Sequence, residues 1–206
     1  TAPAEGAGVP GTAVYNLLRR LVFAAALVAT APLIFITWLE GVVTSRRSEK
    51  LYGSCKELLA SVPTFFGEYF RGAFYWAVCA HVETGVVFLY GSMVAHRDTT
   101  VRRGAIIGCH SIVGYADIGP DVMLAARVSI LSGKYQHGRP GELRGAGVEG
   151  SYSRVTIGER SWIGEGALVL ANVGKNCTVG AGSVIYKDVP DDATVLGNPA
   201  RKVNLE

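Results

Sequence analysis

The sequence has few of the features that mark the commonest binding proteins. The formal net charge is only +3 over 206 residues, and no run of basic residues alternates with aromatic ones, so a nucleic-acid binder is not predicted. The four cysteines lie far apart without a CxxC pair, which excludes a zinc ribbon and a small disulfide scaffold. We therefore expect reduced thiols, as in a cytosolic protein, at Cys55, Cys79, Cys109 and Cys177.

Charge is also absent from residues 21–39, a stretch long enough for a helix that crosses a bilayer. Pro32 lies near its middle, where it removes a helical hydrogen bond. Basic residues flank both ends, although positive charge normally marks only the cytoplasmic side: Arg19, Arg20, Arg46, Arg47 and Lys50. These features predict a helix that enters the membrane, breaks at Pro32 and returns, similar to the re-entrant helix of the small phosphoglycosyl transferases. A single span, a secretory signal peptide and a buried soluble helix are the alternatives.

Residues 64–80 form a second apolar segment, after Pro63, that is dense in aromatic side chains. Such rings are typical of the membrane headgroup level, although a helical collar packed on the following domain explains them equally well. We therefore predict a disordered tail over residues 1–13 and a helical, membrane-associated region over residues 14–80.

From about residue 84 the chain repeats with a period of six, which fits neither a helix nor a free alternating strand. An aliphatic residue would fill the interior of each short strand, and small residues at the corners would let the chain turn. Ile107 and Val113 offer a frame one residue later that fits the first coils as well. The aliphatic positions are Ile106, Ile112, Ile118, Leu124, Ile130, Ile157, Ile163, Val169, Val173, Val179 and Ile185. The sequence thus predicts a mainly β solenoid over residues 81–189, followed by a C-terminal tail over residues 190–206.

The repeat is interrupted by a loop over residues 131–154, rich in glycine and charge, which carries His137. On both sides of it the letters are distinctive: "VTIGERSWIGEGALVL" and "VGAGSVIYKDVP", and then "GNPARKV". These stretches resemble the hexapeptide-repeat acyltransferases, in particular the sugar O-acetyltransferase branch, whereas the N-terminal region looks more like membrane-associated relatives that act in surface-polysaccharide assembly. The resemblance implies a left-handed parallel β-helix, a homotrimer with active sites between subunits, and acetyl-CoA as co-substrate, with no metal.

In that family a long loop carries the catalytic histidine, and "LSGKYQHG" occupies its place, so His137 is the candidate general base. A neutral imidazole can accept the proton of a sugar hydroxyl as its oxygen attacks a thioester. His96 and Asp98, in "VAHRDTT", resemble the Asp-His segment of serine acetyltransferases and are candidates for contact with the acceptor or for orienting His137. His81 and His110 have no motif around them and are expected to be structural.

The resemblance also implies which residues contact the cofactor. Glu165 follows "WIG", Ala181 lies where the pantetheine passes the backbone, and Tyr186 and Lys187 match a pair near the nucleotide end, as does Arg201. Cationic side chains suit the phosphates of CoA.

These expectations define an acetyl-CoA-dependent O-acetyltransferase that acts on a sugar of a membrane-linked glycan, at the inner membrane and facing the cytoplasm. A serine acetyltransferase and a non-catalytic β-helix scaffold are the alternatives. A γ-type carbonic anhydrase is disfavoured because it needs three histidines that converge on zinc, two of them close in sequence. The acceptor sugar and the acyl chain length stay open.

Overall fold

The computed structural model describes residues 12–45, 48–132 and 153–203. Its helices are α1 (Thr12–Val43), α2 (Lys50–Ala60) and α3 (Thr64–Val78). All the strands are short: β1 (His81–Val82), β2 (Val87–Phe88), β3 (Met93–Val94), β4 (Thr100–Val101), β5 (Ile106–Ile107), β6 (Ile112–Val113), β7 (Ala116–Ile118), β8 (Met123–Leu124), β9 (Ser129–Ile130), β10 (Val155–Ile157), β11 (Trp162–Ile163), β12 (Leu168–Val169), β13 (Thr178–Val179), β14 (Val184–Ile185), β15 (Thr194–Gly197) and β16 (Ala200–Lys202).

The strands stack into three parallel sheets, which are the three faces of a β-solenoid of about five turns. Sheet A has the order β1-β4-β7-β10, sheet B the order β2-β5-β8-β11-β13-β15, and sheet C the order β3-β6-β9-β12-β14. The terminal strand β16 pairs antiparallel with β15 and closes sheet B. The predicted fold class is confirmed: a mainly β parallel solenoid preceded by a long apolar helix.

One aliphatic residue per strand points inward and stacks on its counterpart in the next coil. In sheet C, Val113, Ile130 and Val169 form such a column, and each is at most 1% exposed. In the second coil, Ile107 and Val113 are inside, whereas Ile112 lies outside and is 41% exposed. The predicted frame through Ile106 and Ile112 is therefore wrong, and the frame one residue later is right. Side chains alternate between the faces of a strand, so a shift of one residue exchanges inside and outside.

Glycine follows the inward aliphatic residue in several coils because adjacent coils approach closely there. A Cβ atom on Gly108 would lie 2.1 Å from the carbonyl oxygen of Ala125, and one on Gly158 would lie 2.5 Å from the nitrogen of Lys175. No side chain fits in that space. The Ile-Gly and Val-Gly pairs of the repeat are thus explained by inward packing followed by backbone contact.

Helices α2 and α3 cap the first coil of the solenoid. Tyr52, Phe74 and Tyr75 are fully buried in the same core as Phe88 and Val94, so the cap and the solenoid share one apolar interior. The hydroxyl of Tyr52 donates to the carbonyl oxygen of Val94 at 2.8 Å. Part of the aromatic segment is thus the predicted collar.

Arg71 lies within this cap and is fully buried. Its guanidinium donates to three backbone carbonyl oxygens: Phe88 at 3.0 Å, Leu59 at 3.0 Å and Val62 at 2.9 Å. Burial lowers the pKa of this guanidinium. Arg71 of α3 therefore joins the end of α2 to the first coil through hydrogen bonds to their backbone carbonyl groups.

Helix α1 runs uninterrupted through Pro32, so the predicted break at Pro32 is wrong. A proline removes one backbone hydrogen bond, and neighbouring hydroxyls and packing can support the helix around it. The Thr30 hydroxyl donates to the carbonyl oxygen of Ala26 at 2.8 Å, and Phe23 packs edge-on against Trp76 of α3, with ring centroids 5.9 Å apart.

The two sides of α1 differ in polarity and in burial. The side that faces the protein buries Ala26, Thr30, Thr37 and Glu40, whereas large apolar side chains face outward. The exposed apolar residues include Leu17, Leu21, Val28, Phe35, Trp38 and Val42. By length and composition, residues Val14–Val43 could cross a membrane, and only 17% of the most apolar window is buried. Phe65, Phe66 and Trp76 of α3 are also exposed, consistent with the predicted headgroup aromatics.

Candidate active site

Several of the predicted site residues stack along one edge of the solenoid, where the chain passes from sheet C to sheet A. We call this edge the C–A corner. His96 and Asp98 lie there after β3 in the first coil, and Tyr186 and Lys187 lie there after β14 in the fifth. The long loop leaves the same corner after β9 in the third coil. With coils about 4.8 Å apart, the loop leaves about 10 Å from each pair along the stack.

The two ends of the loop are held together at a site that we call the loop root, formed by Tyr115, Ser132, Ser153 and Arg154. The Ser153 N–H donates to the carbonyl oxygen of Ser132 at 2.9 Å, and the Ser132 hydroxyl accepts the Tyr115 N–H at 2.9 Å. Arg154 donates to the Tyr115 hydroxyl at 3.0 Å, and its guanidinium carbon lies 4.4 Å from the centroid of that ring. The excursion therefore starts and ends on a hydrogen-bonded platform.

His137 lies on the loop between these ends, outside the described residues, so its role as the base stays a prediction. What the described residues add is the place from which the loop departs. Because the Ser153 N–H donates to the carbonyl oxygen of Ser132, the chain leaves the solenoid and rejoins it at the same point of the C–A corner.

His96 and Asp98 lie beside the loop root. Arg154 donates to the backbone oxygen of Asp98 at 2.9 Å, and the rings of His96 and Tyr115 meet edge to face at 6.5 Å. The side chain of Asp98 is exposed, whereas the imidazole Nδ1 of His96 lies 3.2 Å from a carboxylate oxygen of Glu49. His96 is thus positioned by a partner from the helical region.

Glu49 and Glu40 connect this corner to the helices. Glu49 also accepts the backbone N–H of Arg97 at 3.1 Å, and the Arg97 side chain pairs with Glu40 of α1. Burial acts to raise the pKa of Glu49, but the hydrogen bonds from His96 and from the Arg97 N–H, with their charges, outweigh it and hold the pKa below its usual value. Glu49 is therefore ionised at neutral pH, and its carboxylate oxygen is a hydrogen-bond acceptor for Nδ1–H of His96.

At the other end of the C–A corner, Tyr186, Lys187 and Arg201 line one open cleft of about 490 Å³. The cleft is formed by the residues after β14 together with β16, which folds back along β15. Three of the five predicted cofactor residues are thus brought together, and two of them are cations on exposed side chains that a CoA phosphate can reach.

Glu165 and Ala181 lie elsewhere, at the B–C corner where the chain passes from sheet B to sheet C. Both are exposed, in consecutive coils, and the Gly182 N–H donates to the carbonyl oxygen of Glu165 at 2.8 Å. The carboxylate of Glu165 pairs with Arg127 of the preceding coil. A single protomer therefore separates these two residues from Lys187 by the width of sheet C.

Tyr115, Arg154 and Glu49 were not predicted from the sequence. Arg154 directly precedes "VTIG" at the end of the loop. This position indicates a site residue only once the two ends of the loop are known to meet. Of the other histidines, His81 is exposed in β1 and His110 packs edge-on against Tyr90, with ring centroids 5.2 Å apart. Within the described ranges, no cluster of three or more His, Cys, Asp or Glu side chains could hold a metal ion.

No protein-family model matches this chain. "Putative acetyltransferase YJL218W" of Saccharomyces cerevisiae is 28% identical over 158 residues, which is 75% of this chain and 66%, or just under two thirds, of the yeast protein. The crystal structure of a maltose O-acetyltransferase from Clostridium difficile 630 matches with a TM-score of 0.51 and 24% identity, covering 76% of this chain and 85% of that one.

The predicted resemblance to the hexapeptide-repeat acyltransferases is confirmed. The crystal structure of PerB from Caulobacter crescentus, in complex with CoA and GDP-perosamine, also matches. It is 23% identical with a TM-score of 0.45, over 60% of this chain and 54% of that one. The yeast protein and the Clostridium difficile protein are both named as acetyltransferases, the class of enzyme that the motifs of this chain predict.

Proposed function

We propose that the chain is an acetyl-CoA-dependent O-acetyltransferase that acts on a sugar hydroxyl of a membrane-linked glycan. The observation that carries the proposal is the C–A corner, where the loop that bears His137 leaves from between His96 and the Lys187–Arg201 cleft. Along this corner, His96 lies where an acceptor would bind, the loop with the base follows, and the Lys187–Arg201 cleft lies where the cofactor would bind.

The chemistry requires one base and one leaving group. The sugar oxygen attacks the thioester carbonyl carbon of acetyl-CoA while the imidazole of His137 accepts the hydroxyl proton. The carbon–sulfur bond then breaks, and the proton passes to the sulfur of the departing CoA. Lys187 and Arg201 hold the phosphates, and His96 with Asp98 lies on the acceptor side of the loop.

A homotrimer would complete the cofactor site. Neighbouring protomers related by a three-fold axis can bring the B–C corner of one, with Glu165 and Ala181, to face the C–A corner of the next, with Lys187. Met123 and Trp162 on the outer face of sheet B are 45% and 41% exposed, and a neighbouring protomer would cover them. This arrangement reunites the two sets of cofactor residues that one protomer separates.

The membrane part of the proposal rests on α1, and its position favours a helix that lies in the membrane surface. Near its N-terminus, Tyr15 and Arg19 share a groove with residues 85–87 of the first coil, and near its C-terminus Glu40 pairs with Arg97 of the same coil. These two points lie about 32–38 Å apart along the helix. A perpendicular span would therefore draw the polar first coil into the hydrocarbon.

A helix that lies flat places both basic flanks on one side without a break at Pro32. Its apolar outer face enters the membrane, and its polar face stays on the protein. The solenoid then rests its first coil on the cytoplasmic leaflet, where an enzyme that uses cytosolic acetyl-CoA meets a lipid-linked acceptor.

Lys187→Ala and Arg201→Ala are each expected to raise the KM for acetyl-CoA about tenfold, at the low end for loss of a charge-assisted hydrogen bond to a phosphate. The matched control is Lys175→Ala, whose ammonium lies 3.8 Å from a Glu159 oxygen outside the cleft. Steady-state kinetics at two salt concentrations, with calorimetry of acetyl-CoA binding, measure the effect. An effect confined to the acceptor KM, or no acetyl-CoA binding by the wild-type protein, would contradict the assignment.

A further inference from the structure

A groove of about 420 Å³ runs between α1 and α3 in the helical region. Its walls are mostly apolar, and its rim carries exposed aromatic side chains that stack on each other: Phe35 and Trp38, with ring centroids 6.0 Å apart. The small side chains of Ala31 on α1 and Ala77 on α3 leave the space between the two helices open. The groove is therefore continuous with the apolar outer face of α1.

Among the described residues, Arg97 is the one charged residue that lines this groove, and it is only 7% exposed. Its Nη2 pairs with Glu40, whereas its Nε–H is buried and has no hydrogen-bond partner in the described part of the chain. A buried donor left unsatisfied is destabilising, so the unpaired guanidinium N–H of a residue that lines an apolar groove marks a place for an acceptor oxygen.

The carboxylates near Arg97 are already engaged by other groups. Glu40 accepts the N–H groups of Leu51 at 2.8 Å and Tyr52 at 3.1 Å, which are the first free donors of α2, and the Ser48 hydroxyl at 3.1 Å. The partial positive charge at that helix N-terminus offsets the charge of Glu40. Glu49 is occupied by His96 and the Arg97 backbone. Arg97 can therefore interact with an anionic group in the groove.

We infer that the α1–α3 groove holds the chain of a long-chain lipid phosphate, whose phosphate oxygen accepts a hydrogen bond from Arg97. The inference rests on the proposed function, because it assigns the lipid part of its membrane-linked acceptor. Arg97 is adjacent to His96 at the C–A corner, two coils or about 10 Å from Ser132, where the loop begins. A sugar attached to that phosphate then extends along the corner toward the loop.

Binding is measured on the full chain in detergent micelles without acetyl-CoA, so that its failure is distinguishable from a failure of acetyl transfer. Trp38 lines the groove and serves as the fluorescent reporter after Trp76→Phe and Trp162→Phe. The probe is farnesyl phosphate, compared with farnesol and with inorganic phosphate. We expect saturable binding of farnesyl phosphate, at least tenfold weaker binding of farnesol, and no response to inorganic phosphate.

Ala31→Leu and Ala77→Leu fill the groove, and each is expected to weaken the binding of farnesyl phosphate at least tenfold. Ala29→Leu makes the same change at an exposed position of α1 outside the groove and is expected to leave the affinity unchanged. Arg97→Lys keeps a cation opposite Glu40 but removes the Nε donor. It is expected to lower the affinity for farnesyl phosphate to the affinity that the wild-type protein has for farnesol. The inference would be overturned if the three Ala→Leu variants bound farnesyl phosphate with equal affinity. It would also be overturned if the wild-type protein bound farnesyl phosphate and farnesol equally well.

Discussion

Replacing His137 with alanine is expected to lower the turnover of acetyl transfer by about 10²–10⁴-fold, the range typical of losing a general base. The affinity for acetyl-CoA should change little, since the predicted phosphate contacts come from Lys187 and Arg201 at the far end of the C–A corner. Steady-state kinetics and calorimetry on the same preparation separate the two effects.

The matched control is Gln136→Ala, which alters the neighbouring side chain in the same loop and retains the imidazole. We expect it to retain most of the wild-type turnover. Unchanged turnover in His137→Ala would remove His137 from the mechanism and leave His96, near the loop root, as the histidine to test next.

The position of α1 makes an all-or-none prediction about topology. In a background without native cysteines, single cysteines at Thr12 and Ser45 are both expected to resist an impermeant thiol reagent in intact cells and to react after lysis. Both ends of a helix that lies flat stay on the side of the solenoid, whereas a span would expose one of them outside. Lys175→Cys on the solenoid is the reference for a cytoplasmic site.

Depth measurements distinguish a flat helix from a re-entrant one, because both protect the two ends. Spin labels at Val28 and Ile36, which face outward, should report similar and shallow depths, and Pro32→Leu should not change them. A maximum in depth at residue 32 would contradict the flat arrangement, and labelling of one end in intact cells would show a span.

The solenoid was predictable because the same physical requirement recurs every six residues. Each strand needs an inward aliphatic residue, and a glycine often follows it where adjacent coils touch. The frame at Ile106 and Ile112 was not predictable, since both alternatives place an aliphatic residue inside. Only the stacking of Val113 on Ile130 decides between them. The break predicted at Pro32 failed because local hydrogen-bond loss was considered without the packing of α1 on α3.

The candidate site also contains residues that the sequence predicted and contacts that it did not. Lys187 and Arg201 were found from motifs that lie close in sequence, and they meet in one cleft. The contacts of Glu49 with His96 and of Arg154 with Tyr115 join residues 39 to 47 positions apart, and no periodicity signals such pairs. The separation of Glu165 from Lys187 depends on which corner each occupies, which motif spacing does not reveal.

The central claim is acetyl transfer to a lipid-linked sugar, and one measurement tests it most directly. Membranes that contain the protein are incubated with radiolabelled acetyl-CoA, and the products are partitioned into lipid-extractable and water-soluble glycans, with His137→Ala membranes as the control. We predict that the label enters the lipid-extractable fraction, that mild base releases it as expected for an O-acetyl ester, and that it is absent from the control. Label confined to soluble products, or label in the lipid fraction that does not depend on His137, would contradict the account.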